Sequence, residues 1–161
     1  MTAKQLAKRT ELSIDKVSRA LATLRQKQLA TCLTPTKPRA RIHWFTHSGI
    51  NAASILRAEA GLEQLRALSN MDWDLYSDAC HSHRTAVLLA LEKPMQAAAV
   101  KRKARFQNSS LRMSANNARD VLNYFEHMGI VRRVFVRKSM HPHFELTELG
   151  DGLRVHLAAS R

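Results

Sequence analysis

The chain's 161 residues, 45% of them hydrophobic, suffice for one domain with a good core or two small ones, and they contain neither a secretory h-region nor an apolar run long enough to span a membrane. The formal net charge of +13 is divided: residues 1–49 hold ten Lys/Arg against two Asp/Glu, residues 50–92 three against six, and residues 93–161 thirteen against five. Two basic blocks around an acidic middle point to two phosphate-facing surfaces joined by a segment with another task, while Cys32 and Cys80 are too few for a disulfide framework and read as reduced thiols of a cytoplasmic protein.

Residues 2–9 predict a short helix with Ala3, Leu6 and Ala7 inward, followed by a tight turn through Thr10, Glu11 and Leu12. Ser13 is a good N-cap for a second helix. In it Ile14, Val17, Leu21 and Leu24 recur at three- and four-residue spacing and form an inward stripe. Its outer face carries Asp15, Lys16, Ser18, Arg19, Thr23 and Arg25. Residues 29–34 and 40–46 read as two strands around a loop in which Pro35 and Pro38 fix φ, so that Lys37, Arg39 and Arg41 make a basic hairpin.

This order, on the stretch TAKQLAKRTELSIDKVSRALATLRQKQLA and the closing FTHSG, resembles the DNA-binding segment of winged helix-turn-helix regulators of the MarR-like kind over residues 2–49. The sequence departs from that pattern twice. Such domains carry a further helix ahead of this pair, for which no room precedes Thr2, so it is expected outside this sequence or replaced by another segment. Gln28 stands where the family has a helix-ending glycine, a substitution that costs about 1 kcal/mol in a left-handed cap.

Residues 50–69 predict one long helix in which Ile55, Ala58, Leu62 and Leu65 form an a/d-like seam. The seam serves either its own domain or the same helix of a second chain, and a homodimer is expected. Residues 72–78, DWDLYSD, read as a connection. Residues 83–92 are an apolar helix with Val87, Leu88 and Leu91 inward, ended by Pro94, and residues 95–105 a helix ending in the cations Lys101, Arg102, Lys103 and Arg105.

Shifted by 101 residues without a gap, residues 13–49 lie on residues 114–150. Ser13 falls on Ser114, Leu21 on Leu122, Leu24 on Phe125, Lys37 on Lys138, Thr46 on Thr147 and Gly49 on Gly150, while Gly129 takes the place of Gln28. Residues 114–127 are thus a second candidate recognition helix. Residues 130–138 and 144–150 are the strands of a second basic hairpin. The expected fold is mainly α with small β-hairpin wings (α+β): two winged-helix domains in tandem, 1–49 and 81–161, joined by a long helix within 50–80.

A helix of this kind fits the major groove, with its start aimed at phosphate. In the first copy Lys16, Ser18, Arg19 and Thr23 are the candidate groove residues and Ser13 a phosphate contact; in the second they are Asn116, Asn117, Arg119 and Asn123, with Ser114 at the cap. Asn pairs bidentately with adenine and Arg with guanine. The wings, Lys37, Arg39 and Arg41 in one copy and Arg132, Arg133, Arg137 and Lys138 in the other, suit backbone or minor-groove contact, as does the cluster from Lys101 to Arg105. Cys80, His81, His83 and Asp78 match no zinc spacing, so no metal is expected. With no Gly-rich phosphate loop, no G-x-S-x-G and no H-E-x-x-H, no enzyme and no cofactor is expected either.

Three functions remain. The first is a sequence-specific, double-stranded-DNA-binding transcriptional regulator. The second resembles plasmid-type replication initiators, which also use tandem winged helices. The third is a winged-helix protein-interaction module, against which the charge of both basic blocks argues.

Overall fold

The structure is a computed structural model that describes residues 1–65, 68, 70–137 and 139–159. Among these residues it is mainly helical, with two small antiparallel hairpins, and it divides into two compact units, Met1–Asp78 and Ala79–Arg161.

In the first unit, α1 (Ala3–Thr10) starts at a capping box in which the Thr2 side chain accepts from Gln5 N and the Gln5 side chain accepts from Thr2 N at 2.7 Å, satisfying two N–H groups that a helix start leaves without partners. Glu11, at φ 56°, turns the chain left-handed into Ser13, the cap of α2 (Ile14–Gln26). Val17 and Leu21 pack on Ala7, with Ala3 and Leu6 alongside. Ile14 does not join them. It is 51% exposed, and Leu12 47%, because the apolar face of the short α1 ends at Ala7. The expected inward stripe is therefore shorter by its first residue.

Strand β1 (Ala30–Cys32) pairs with β2 (His43–Phe45), Ala30 opposite Phe45 and Cys32 opposite His43. Helix α3 spans His47–Glu59 and is capped by Thr46. The expectation of one helix from 50 to 69 is corrected here. The helix ends at Glu59 with Ala60 as its C-cap, Gly61 takes φ +64°, and Leu62 and Leu65 lie beyond it in irregular chain, so they do not extend the helical seam of Ile55 and Ala58. Part of the expected connection is itself helical, as α4 (Trp73–Ala79). Its Tyr76 hydroxyl accepts from Gln5 Nε2 at 3.4 Å, and its Ser77 hydroxyl donates to Ala40 O at 2.9 Å.

The second unit contains α5 (Ser82–Ala90), α6 (Ala97–Gln107), α7 (Ala115–His127), β3 (Val131–Val134), β4 (His143–Leu146) and α8 (Glu148–Ala159). Helix α5 packs on α6, α7 and α8 around fully buried Val87, Leu88, Val100, Leu122 and Phe125. The Arg84 guanidinium lies 3.9 Å over the Tyr124 ring and adds a cation–π contact between α5 and α7.

The repeat read at 101 residues extends to individual bonds. Helices α2 and α7 cover 14–26 and 115–127, with Ser13 and Ser114 as caps. After them Gln28 and Gly129 take φ 55° and 69°. Thr46 and Thr147 donate their hydroxyls to Gln28 O at 2.6 Å and Gly129 O at 2.7 Å, and accept from Gly49 N at 3.1 Å and Gly150 N at 3.2 Å. Their own N–H groups donate to Leu29 O at 3.1 Å and Ile130 O at 3.0 Å. One local design thus sets the angle between helix, hairpin and exit helix in both units.

Candidate nucleic-acid interface

Helix α2 turns its buried side, Val17 and Leu21, toward α1 and leaves Lys16, Ser18, Arg19 and Thr23 exposed. Lys16, Arg19 and Thr23 stand at i, i+3 and i+7 and share one face. The Ser13 hydroxyl accepts from Lys16 N at 3.4 Å, and the Thr23 hydroxyl donates back to Arg19 O at 3.1 Å, leaving its lone pairs available. Neither Lys16 nor Arg19 has an ion pair among the described residues.

The hairpin beside α2 is folded back. Lys37 Nζ meets Asp78 Oδ2 at 2.9 Å with both side chains about three-quarters or more buried, Arg41 Nε donates to Lys37 O at 2.8 Å, and buried Thr34 accepts from Ile42 N at 2.9 Å. Of its three predicted cations, Arg39 and Arg41 are exposed and Lys37 is engaged by α4. His43, at the loop end of β2, has a buried Nδ1 without a hydrogen-bond partner. Burial, followed by the positive charges of Arg25, the Met1 amino group and Arg41, holds its pKa below the ordinary 6.5.

Helix α7 presents Asn116, Arg119 and Asn123 at i, i+3 and i+7, all exposed, with acidic Asp120 beside them. The four predicted residues of this helix divide by role. Asn117 completes a capping box: its N–H donates to Ser114 Oγ at 3.0 Å and its Oδ1 accepts from Ser114 N at 3.1 Å. Asn123 Oδ1 accepts from Arg133 Nη2 at 3.0 Å, and the same guanidinium pairs with Glu126 Oε2 at 2.9 Å, bracing β3 against α7. Asn116 and Arg119 carry no side-chain bond of either kind among the described residues.

On the second hairpin Arg132 pairs across the strands with Glu145 at 2.6 Å, in register, while Arg137 is exposed at the tip. Lys138 lies outside the described residues. Helix α6 presents Lys101, Arg102 and Arg105 around an open cleft with Phe106 and Ser109. Lys103 is occupied by Glu92 at 2.5 Å, and its hydrogen bond and charge hold that carboxyl below its usual pKa. His81 occupies the N-cap position of α5 without a side-chain cap bond, and His83 belongs to the first turn of that helix. Sequence reasoning missed the apolar side chains among these cations: Phe106 on α6 and Phe135 and Met140 on the second hairpin, all nearly fully exposed. Their aromatic and basic neighbours in the sequence were the only available signal.

No family model matches the sequence, and no curated protein matches it. Among solved structures the chain is similar to the Type III plasmid segregation protein TubR, at 13% identity and a TM-score of 0.43 over 60% of this chain and 93% of that one. It is also similar to human N-acetylserotonin methyltransferase, at 18% identity and a TM-score of 0.31 over 53% of this chain and 26% of that one.

Proposed function

We propose that this protein is a sequence-specific, double-stranded-DNA-binding transcriptional regulator, built from two winged helix-turn-helix units and acting as a homodimer. The observation that carries the reading is the repeated pairing of a serine-capped helix, bearing an exposed polar and cationic stripe, with a basic hairpin bonded to it in the same way. Each helix enters a major groove, where Arg19 and Arg119 pair with guanine and Asn116 with adenine; Arg39, Arg41 and Arg137 sit on the flanking phosphates. Exposed Ile55 and Leu56, 61% and 65% accessible on α3, supply an apolar contact for a second copy.

The test is selection of bound duplexes from a random pool at about 150 mM salt, where non-specific phosphate attraction is partly screened. An enriched palindrome supports the dimeric regulator, and an enriched array of direct repeats transfers support to a replication initiator. No enrichment, with affinity collapsing as salt rises, removes the specific-binding reading. On the selected site Arg19→Ala and Arg119→Ala each weaken binding by about 1–3 kcal/mol.

A further inference from the structure

We infer that the tip of the second hairpin, residues 135–137 and 139–142, is an apolar wedge that enters the minor groove of duplex DNA and partly unstacks a base step there; this rests on the DNA-binding reading above. Phe135 and Met140 are each 96% exposed and Val136 43%, so the tip presents two of the largest apolar side chains of the unit to water. The loop that carries them is braced. Ser139 N donates to Val136 O at 3.0 Å, and the Ser139 hydroxyl donates to His141 O at 2.9 Å while accepting from Gln96 Nε2 at 3.0 Å, which ties the loop to the start of α6. A loop held in this way loses little further freedom on insertion.

Charge and placement select the occupant. Exposed Arg137 stands within the tip with no ion pair among the described residues, while Arg132 and Arg133 at its base are held by Glu145 and Glu126; the cation beside the two apolar side chains matches a phosphate on a groove rim rather than an apolar protein surface. The Arg133 bonds to Asn123 and Glu126 fix the hairpin to α7, so a duplex that receives α7 in its major groove meets the tip at an adjacent minor groove. Apolar residues inserted from a basic hairpin kink DNA at flexible pyrimidine–purine steps. The first hairpin has no such device. Its tip holds Pro35, Thr36, Pro38 and Arg39, its Lys37 is bound to Asp78, and its apolar Ile42 is fully buried.

The probe is a duplex of about 30 base pairs with an A·T-rich centre, one TA step carrying 2-aminopurine, and a donor and acceptor dye at its ends. Binding of the full chain raises the 2-aminopurine fluorescence and shortens the end-to-end distance. Phe135→Ala/Met140→Ala, at positions exposed enough to leave the fold intact, loses both signals and binds about tenfold more weakly, with its salt dependence retained; Phe135→Trp keeps them. A double variant that binds and bends the duplex like the wild type overturns the wedge and leaves the DNA reading standing. A wild-type chain that binds no duplex overturns both. Capture by phosphatidylserine vesicles through the same two residues, with the duplex still stacked, assigns the tip to a lipid surface and overturns the proposal.

Discussion

Gly49 and Gly150 test whether the two units share one construction. A β-carbon on Gly49 would stand 1.8 Å from Leu29 O, and one on Gly150 2.1 Å from Ile130 O. Both obstacles are backbone carbonyls held in place by the N–H of Thr46 or Thr147, so neither can swing aside as a side-chain end would. Alanine forces the exit helix to withdraw by about 1.6 Å at Gly49 and about 1.3 Å at Gly150 before the contact becomes ordinary at 3.4 Å. That withdrawal costs about 1–3 kcal/mol in overpacking and about 1 kcal/mol for each threonine bond lost, giving about 2–5 kcal/mol per site. Urea unfolding reads the two sites separately, because Trp44 and Trp73 both belong to the first unit. Gly49→Ala therefore lowers the midpoint seen by tryptophan fluorescence, and Gly150→Ala the midpoint seen by far-UV circular dichroism. Gly152 is the control, since it lies in the same helix as Gly150 with nothing within 4 Å. Gly152→Ala raises stability by up to about 1 kcal/mol. A Gly150→Ala variant as stable as Gly152→Ala would show that α8 is not seated on the Ile130 carbonyl, and the argument from the repeated bonds would fail with it.

Ser114→Ala removes a reciprocal capping box and costs about 1 kcal/mol, more than Ser13→Ala, whose cap bond is 3.4 Å long and unreciprocated; urea midpoints of the two variants decide the order. His43 has a folded pKa below 6.5, so the folded state favours its neutral form: that stability is complete above 6.5 and is lost as pH falls through the lowered folded value. The tryptophan-monitored midpoint declines on acidification below pH 6.5, and His43→Phe flattens that decline. Arg39→Ala lowers the slope of log K against log salt by about 1, whereas Lys37→Ala, already neutralised by Asp78, lowers it by less.

The parts of the fold that the sequence makes legible rest on short-range chemistry. A capping serine, apolar residues at helical spacing and a Thr-x-x-Gly exit each act within a few residues, and they align the two copies without coordinates. The spacing of Ile55, Ala58, Leu62 and Leu65 continues past Gly61 and so reads as one long helix, because periodicity does not register a left-handed glycine that ends the helix first. The start of helix α4, within a stretch that reads as a connection, is nevertheless written in the sequence: Asp72 Oδ1 accepts from Leu75 N at 2.9 Å, an aspartate cap three residues ahead of its partner. The division of labour on α7 was not legible at all. Asn116, Asn117 and Asn123 look alike in a sequence, and only the hairpin, which brings Arg133 to Asn123, and the cap at Ser114, which takes Asn117, tell them apart.

If the protein reads DNA as proposed, that division limits what one unit can read. With Asn117 committed to the cap and Asn123 to the hairpin brace, α7 is left with Asn116 and Arg119 to meet base edges. At about 1–3 kcal/mol per good bidentate pair, two such contacts discriminate by about 2–6 kcal/mol. Specific sites are distinguished from bulk DNA by about 4–10 kcal/mol. On its own, α7 reaches the lower part of that range at best. Arg19 on α2 adds one bidentate contact and Lys16 and Ser18 weaker ones, which brings a whole chain to about 3–9 kcal/mol. A chain engaging both helices spans most of the required range, and a pair of chains exceeds it. Loss of either Arg19 or Arg119 therefore relaxes base preference at a defined position of the site, whereas loss of Arg39 weakens binding to all sequences alike.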